Sequence, residues 1–239
     1  MCTITLIPHP DSLNGFVLTS NRDESVSRIS LPPQMEVYRS NKLYFPKDKK
    51  AGGTWVGVSD NLRCVCLMNG AEKPHIRESN YRQSRGVVVK EFLAAKKLKK
   101  ILKEYDLDNI EPFTMIIVDW YNGLVFNELI WDGKERKISK LPIKEHIWSS
   151  SPLYTEEMKS LRKEWFDELK QSKGFSAESL LDFHQNAGEG NKESDLIIDR
   201  GFLKTQSITQ VHNTRNGIKF WYKDLIRNEI TEEYIQFSA

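Results

Sequence analysis

The sequence predicts an α+β fold in which helices cover antiparallel sheets, and three observations predict it. The first is the order of segments: β-rich, one helical stretch, β-rich, two helical stretches, β-rich. Strands and helices are segregated rather than alternating one for one, which argues against a doubly wound parallel sheet. The second is that strand-like runs come in neighbouring pairs joined by turn residues, the pattern of hairpins. The third is size: 239 residues, 39% hydrophobic, are enough to bury a sizeable core. Layered β-rich folds reach this length undivided, and no repeat or linker composition interrupts the chain, so residues 1–239 are read as one domain.

Each element has its own signal. TITLIP at 3–8 alternates and is rich in β-branched residues, so it reads as a strand. PDSLNG is turn-rich, and GFVLTSN at 15–21 is a second strand that pairs with the first as a hairpin. NRDE follows at its end. SLPPQ at 30–34 reads as a breaker, MEVYRS as a short strand, and FPKDKKAGG at 45–53 as a polar loop. TWVGVSD and LRCVCLMN make another hairpin. Between 79 and 105, Val87, Val88, Phe92, Leu93, Leu98, Ile101 and Leu102 recur at helical spacing. Ser79 is the candidate cap, and Gly86 is a point where the helix can divide. FTMIIVDW and GLVFNELIWDG flank YNG as a strong hairpin, with weaker strands at RKISKLP and HIWSSS. Residues 155–174 form a helix capped by Thr155 and stopped by Gly174, and 176–185 a shorter one capped by Ser176. AGEGNKESD at 187–195 reads as a mobile loop. QSITQVHN, GIKFWYKD and ITEEYIQF close the chain as strands.

Composition narrows the function classes. The 35 Lys and Arg against 33 Asp and Glu leave a net charge of +2, no electrostatic footprint for nucleic acid or an anionic membrane. No apolar run is long enough to span a bilayer, and no charged segment followed by an apolar one marks a signal peptide. A cytoplasmic protein without stable membrane insertion is expected. Three cysteines, Cys2, Cys64 and Cys66, do not suggest a disulfide framework. Cys64 and Cys66 lack partners at metal-site spacing, so no metal is expected.

Three constellations can carry chemistry. Loss of Met1 would give Cys2 a thiol and an α-amine on one residue. With a reference pKa of about 7.7–8.0, that amine is partly neutral near pH 7 and can take the thiol proton. The alternative is an inert cysteine that merely begins a strand. Asn21, Arg22 and Asp23 stand where the second strand ends, beside the first. Arg22 can lower a neighbouring thiol pKa, Asp23 can hold the ammonium of residue 2, and Asn21 can donate to an oxyanion or fix a turn. A solvated strand end with a local Arg–Asp pair explains the same residues. Gly52 and Gly53 precede Trp55, and Asn69 ends the return strand, where it can serve either an oxyanion or an Asn-Gly hairpin turn.

Taken together, MCT at the start, TSNRDE at 19–24, GGTWVGV at 52–58 and a strand ending in Asn69 resemble the NRDE family, the transport and Golgi organisation protein 2 family. IWSSSPL and QSITQV extend the likeness more loosely. The resemblance implies a four-layer αββα sandwich of antiparallel sheets, similar to the N-terminal-nucleophile (Ntn) hydrolases. Within that superfamily the start also resembles the cysteine branch of bile salt hydrolases and penicillin V acylases, which carry Arg-Asn-x-Asp on the second strand. Here Asn21 and Asp23 keep that spacing, while the arginine stands between them. The resemblance implies Cys2, Arg22, Asp23 and Asn69 as catalytic residues and Asn21, Trp55, Ser150 and Arg215 as binding residues. Ser150 stands for the group's second asparagine, and Arg215 for its late arginine. The implied activity is hydrolysis of a non-peptide C–N amide bond in a small molecule through a thioester, with no cofactor. The alternative is a non-catalytic binding or trafficking protein for an apolar, haem- or lipid-like ligand. A third reading is an interaction protein in which NRDE is structural.

Overall fold

Alternating β-branched residues at the start of the chain form strand β1 (Cys2–Pro8), and the run after the first turn forms β2 (Phe16–Ser25). The two pair antiparallel, with Cys2 opposite Arg22 and Pro8 opposite Phe16. The computed structural model describes residues 2–9 and 12–237. These divide into two compact units, one holding the chain up to Arg28 with Lys144–Gln236, the other Ile29–Ile143.

In the first unit, β1 and β2 join β10 (His146–Ser149), β11 (Leu203–Thr214), β12 (Gly217–Asp224) and β13 (Glu229–Ile235). The antiparallel order is β10-β1-β2-β11-β12-β13. Helices α3 (Glu156–Ser172) and α4 (Ala177–Asn186) pack on one face of this sheet. Both begin where the sequence predicts. Thr155 Oγ1 accepts from Met158 N–H, and Ser176 with Ser179 forms a reciprocal capping box. Ile7 and Val17 from the sheet meet Phe166, Leu169, Leu180 and Phe183 from the helices. Each such side chain, fully buried, stabilises by about 1.5–3 kcal/mol.

The second unit is a seven-stranded antiparallel sheet in nearly sequential order, β3 (Ser30–Tyr38), β4 (Asn41–Asp48), β5 (Val56–Ser59), β6 (Arg63–Asn69), β7 (Phe113–Asp119), β8 (Val125–Trp131) and β9 (Arg136–Leu141). Helices α1 (Arg85–Ala94) and α2 (Leu98–Glu104) contribute Val88, Val89, Phe92, Leu93 and Leu102 to a core completed by Phe45, Val65, Met115, Ile117 and Leu129.

Four expectations are corrected. The helix expected from Ser79 begins only at Arg85 and divides at 95–97, not at Gly86. The division has a cause: Arg63 is buried and its Nη1 donates to the Phe92 and Ala95 carbonyls, which ends α1 there. SLPPQ lies inside β3, where Pro32 and Pro33 fall at a register irregularity between Leu31 and Gln34. The strand is at the sheet edge, the place where proline's missing N–H does no harm. Asn69-Gly70 is not a hairpin turn, because β6 pairs with β5 and β7 and the chain leaves through residues 70–84. The loop 187–195 is pinned: Asp195 accepts from Glu189 and Gly190 N–H, and Arg162 binds the Ser194 and Asp195 carbonyls.

Candidate active site

NRDE is not a strand end. β2 continues to Ser25, so alternate residues of the motif face opposite sides of the sheet. Asn21 and Asp23 face α3 and α4, and Ser20 and Arg22 face away from them.

The Asn21 carboxamide is fully engaged on the helix side. Its Nδ2 donates to the His184 carbonyl at 3.1 Å and the Leu196 carbonyl at 2.7 Å. That fixes the amide orientation, so Oδ1, 2.6 Å from His184 Nδ1, is an acceptor and Nδ1 carries the proton. His184 Nε2 then accepts from Thr5 Oγ1 at 2.8 Å. Burial first, and the Arg162 charge second, depress the His184 pKa to about 3, so the ring is neutral.

Asp23 is completely buried and held by two hydroxyls. Thr205 Oγ1 donates to Oδ1 at 2.7 Å, and the Tyr154 hydroxyl donates to Oδ2. Burial, reinforced by the adjacent Asp23, keeps the Tyr154 hydroxyl protonated well beyond the ordinary phenol range. Tyr154 is positioned by the turn after β10, where the Ser150 carbonyl accepts from both Leu153 and Tyr154 N–H. Its ring lies under the Arg162 guanidinium, with Cζ 3.6 Å from the centroid.

On the other face, Arg22 is buried, and its Nη1 donates to the Arg28 carbonyl at 3.0 Å and to Gln206 Oε1 at 3.1 Å. The register puts Cys2 directly opposite Arg22, hence one step along from Asp23. Ser207 pairs with Arg22, and Thr209 with Ser20. Ser150 directly follows Ser149, the register partner of Thr3, so it too lies at this end of the sheet. The backbones of Cys2, Arg22, Asp23 and Ser150 therefore lie at one end of three adjacent strands, with the Arg22 and Asp23 side chains on opposite faces of the sheet. Arg215 does not lie there: it sits in the β11–β12 turn, eight residues beyond Ser207, or about 26 Å along an extended strand.

Trp55 and Asn69 belong to the second unit. Trp55 is buried ahead of β5, and its carbonyl accepts from Leu67 N–H. Asn69 closes β6 opposite Phe113, and Gly70 follows at φ 85°, a backbone that turns the chain out of the sheet. The glycine pair ahead of Trp55 has a packing reason. A Cβ on Gly53 would stand 2.5 Å from the Gly86 carbonyl carbon, and Thr54 N–H donates to the Gly86 carbonyl. Cys64 is fully buried and free, and burial raises its thiol pKa, which suits an inert core residue.

Arg162, Tyr154, His184 and Thr205 were not singled out from sequence. Two of them left a signal. Arg162 stands in the apolar stripe of α3 with Met158, Phe166 and Leu169, and His184 stands in the stripe of α4 with Ala177 and Leu180. A polar residue in an apolar stripe marks a buried polar contact. Among the described residues no cluster of three or more His, Cys, Asp or Glu side chains is arranged to hold a metal, and no helix is long and apolar enough to cross a membrane.

A family model described as Transport and Golgi organisation 2 matches residues 1–218. No curated protein matches the chain. Among solved structures, penicillin V acylase from Agrobacterium tumefaciens superposes with a TM-score of 0.59 at 8% identity, over 98% of this chain and 86% of that one. A variant of conjugated bile acid hydrolase from Clostridium perfringens gives 0.55 at 12% identity, over 100% and 94%. The Caenorhabditis elegans ortholog of N-acylethanolamine-hydrolyzing acid amidase gives 0.58 at 10% identity, over 87% and 92%. The fold is thus the α+β, Ntn-hydrolase-like architecture expected from sequence.

Proposed function

The chain belongs to the Transport and Golgi organisation 2 family, and we propose that its hydrolase-type scaffold works as a cysteine amidohydrolase on a C–N amide bond outside a peptide chain. The observation that carries the reading is the β1–β2 register, with Cys2 opposite Arg22 and next to Asp23. After Met1 removal, the residue-2 α-amine takes the thiol proton, and the thiolate adds to the amide carbonyl. Arg22 supplies positive charge on the adjoining strand, and Asp23 holds the amine. The tetrahedral oxyanion needs a hydrogen-bond donor beside the carbonyl. Collapse of the tetrahedral intermediate breaks the C–N bond, and the leaving nitrogen takes the proton. Water then cleaves the thioester, releasing the acid and restoring the thiol. The acylase-like neighbours named above act on small-molecule amides, which suggests the substrate class.

Intact mass spectrometry and a panel of N-acyl amides test this. The expected result is a chain lacking Met1 whose turnover disappears in Cys2→Ala while the thermal transition is kept. A chain that retains Met1, or turnover that survives Cys2→Ala, overturns the mechanism. Tight binding of an apolar ligand without any turnover would instead favour a carrier.

A further inference from the structure

A fully buried arginine stands behind the first strand, and among the described residues it has no acidic partner. Arg162 is on α3 and has no exposure at all. Its Nε donates to the Ser194 carbonyl at 3.1 Å, and Nη2 to the Ser194 and Asp195 carbonyls at 3.0 and 2.6 Å. Nη1 donates to Thr3 Oγ1 at 2.6 Å. The guanidinium carbon lies 3.6 Å from the centroid of the Tyr154 ring, whose hydroxyl donates to Asp23. Among the described residues no carboxylate pairs with it directly. A buried charge normally takes a counter-ion, because desolvation costs several kcal/mol. A leucine or methionine at this position of the stripe would fill the space without that cost. The positive charge instead ends one residue from Cys2 on β1, and one aromatic ring from Asp23 on β2.

We infer that Arg162 is a positioning residue for the amine end of residue 2: through Thr3 and Tyr154 it sets a fixed positive charge behind the strand and makes the aminothiol left by Met1 removal release its protons more readily. The inference rests on the amidohydrolase reading. A like charge disfavours an ammonium, and any cation favours a thiolate, so both effects lower the pH at which the nucleophile becomes active. Tyr154 contributes separately by donating to Asp23, since a carboxylate already bound to a hydroxyl holds an ammonium less strongly. Other charged groups surround the same end of the sheet. Arg22 lies on the far face of β2 and Glu24 beyond it. Arg200 reaches the Tyr154 ring at 5.6 Å, Asp195 is engaged by loop N–H groups, and His184 on α4 is neutral. None of these is altered in the experiment.

The probe is a 2-cyanobenzothiazole, whose nitrile accepts the thiol and then the amine of an N-terminal cysteine, closing a ring and releasing ammonia. Buried Cys64 and Cys66 carry no α-amine and do not complete that reaction. The condensation rate is followed against pH for the wild-type chain, Arg162→Gln and Tyr154→Phe, each checked by intact mass and thermal transition. Arg162→Gln is expected to move the midpoint up by about one pH unit, which is about tenfold less condensation at pH 7. Tyr154→Phe is expected to move it up by a smaller step. Should Arg162→Gln fail to fold, Arg162→Met, which fills the same place in the stripe without the charge, carries the test. Condensation with an unchanged or lowered midpoint overturns the role of Arg162 and leaves the amidohydrolase reading standing. A retained Met1 removes both.

Discussion

The His184 site makes a quantitative acid-stability prediction. His184 is neutral in the folded chain, with a pKa of about 3, against 6.5 in the unfolded one. Below pH 6.5 the unfolded chain binds a proton that the folded chain refuses, so the contribution of this group is complete above pH 6.5 and is lost as pH falls towards 3. At pH 5 the two binding curves differ by about 2 kcal/mol, of a total stability on the order of 5–15 kcal/mol. The control is His184→Gln, which fills much of the volume and keeps a donor and an acceptor but does not titrate. Urea denaturation followed by tryptophan fluorescence at pH 7, 6 and 5 gives the free energies. The variant is expected to start lower at pH 7 by about 2 kcal/mol, having lost the geometry of the Asn21 and Thr5 bonds. Its acid slope should be shallower, so that the two proteins nearly converge at pH 5. Other carboxylates titrate equally in both and cancel in the difference. Parallel profiles would refute the reasoning, since they would mean that His184 is protonated alike in the folded and unfolded chains.

Four further substitutions follow. Gly53→Ala forces a Cβ to 2.5 Å from Gly86 backbone and should cost about 3 kcal/mol. Gly52→Ala, at φ 67° with open space around it, should cost about 1 kcal/mol; equal losses in thermal denaturation would contradict the packing argument. Arg63→Met removes the donors to the Phe92 and Ala95 carbonyls and the ion pair to Asp119, with an expected loss of about 3 kcal/mol. Hydrogen exchange should rise first in α1, and exchange spread evenly over the unit would speak against it. Thr205→Val strips Asp23 Oδ1 and the Ile198 N–H of their partner and should cost about 2–3 kcal/mol by denaturant titration; a loss below 1 kcal/mol would mean that another group replaces the hydroxyl.

Local signals read well where they were complete. The hairpins, both capped helices and the closing strands depend on alternation, turn residues and Ser or Thr caps, all of which act within a few positions of one another. The errors arose where a distant residue decides. Arg63 ends α1 from another strand, thirty residues away in sequence, and nothing between 79 and 105 announces it. The Pro32-Pro33 pair reads as a breaker until β3 is known to be an edge strand. At the site, Cys2, Arg22 and Asp23 were legible because two consecutive strands suffice to align them. Tyr154 and Thr205 were not, because they reach Asp23 from 131 and 182 residues away.

The position of the arginine in the motif is explained by the same strand geometry. In the Arg-Asn-x-Asp pattern that the sequence resembles, the arginine comes immediately before the asparagine, a position held here by Ser20, while the arginine of this chain is Arg22. A shift of one residue along a strand would send the side chain to the opposite face, among α3 and α4. A shift of two keeps the face and moves the side chain by about 6.5–7 Å. Arg22 therefore remains on the side of the sheet that Ser20 occupies, away from the helices, and lands at the register position of Cys2. Asn21 and Asp23 keep the helix side, where every polar atom of Asn21 and both oxygens of Asp23 are bound by groups of this same unit. The motif thus divides by parity. Its odd positions tie the strand to the helix layer, and its even positions hold Arg22, the charge that the proposed chemistry needs, and Glu24, whose carboxylate accepts from Ser25 N–H. Substitutions at Asn21 should therefore be read first in stability, and substitutions at Arg22 first in the reactivity of residue 2.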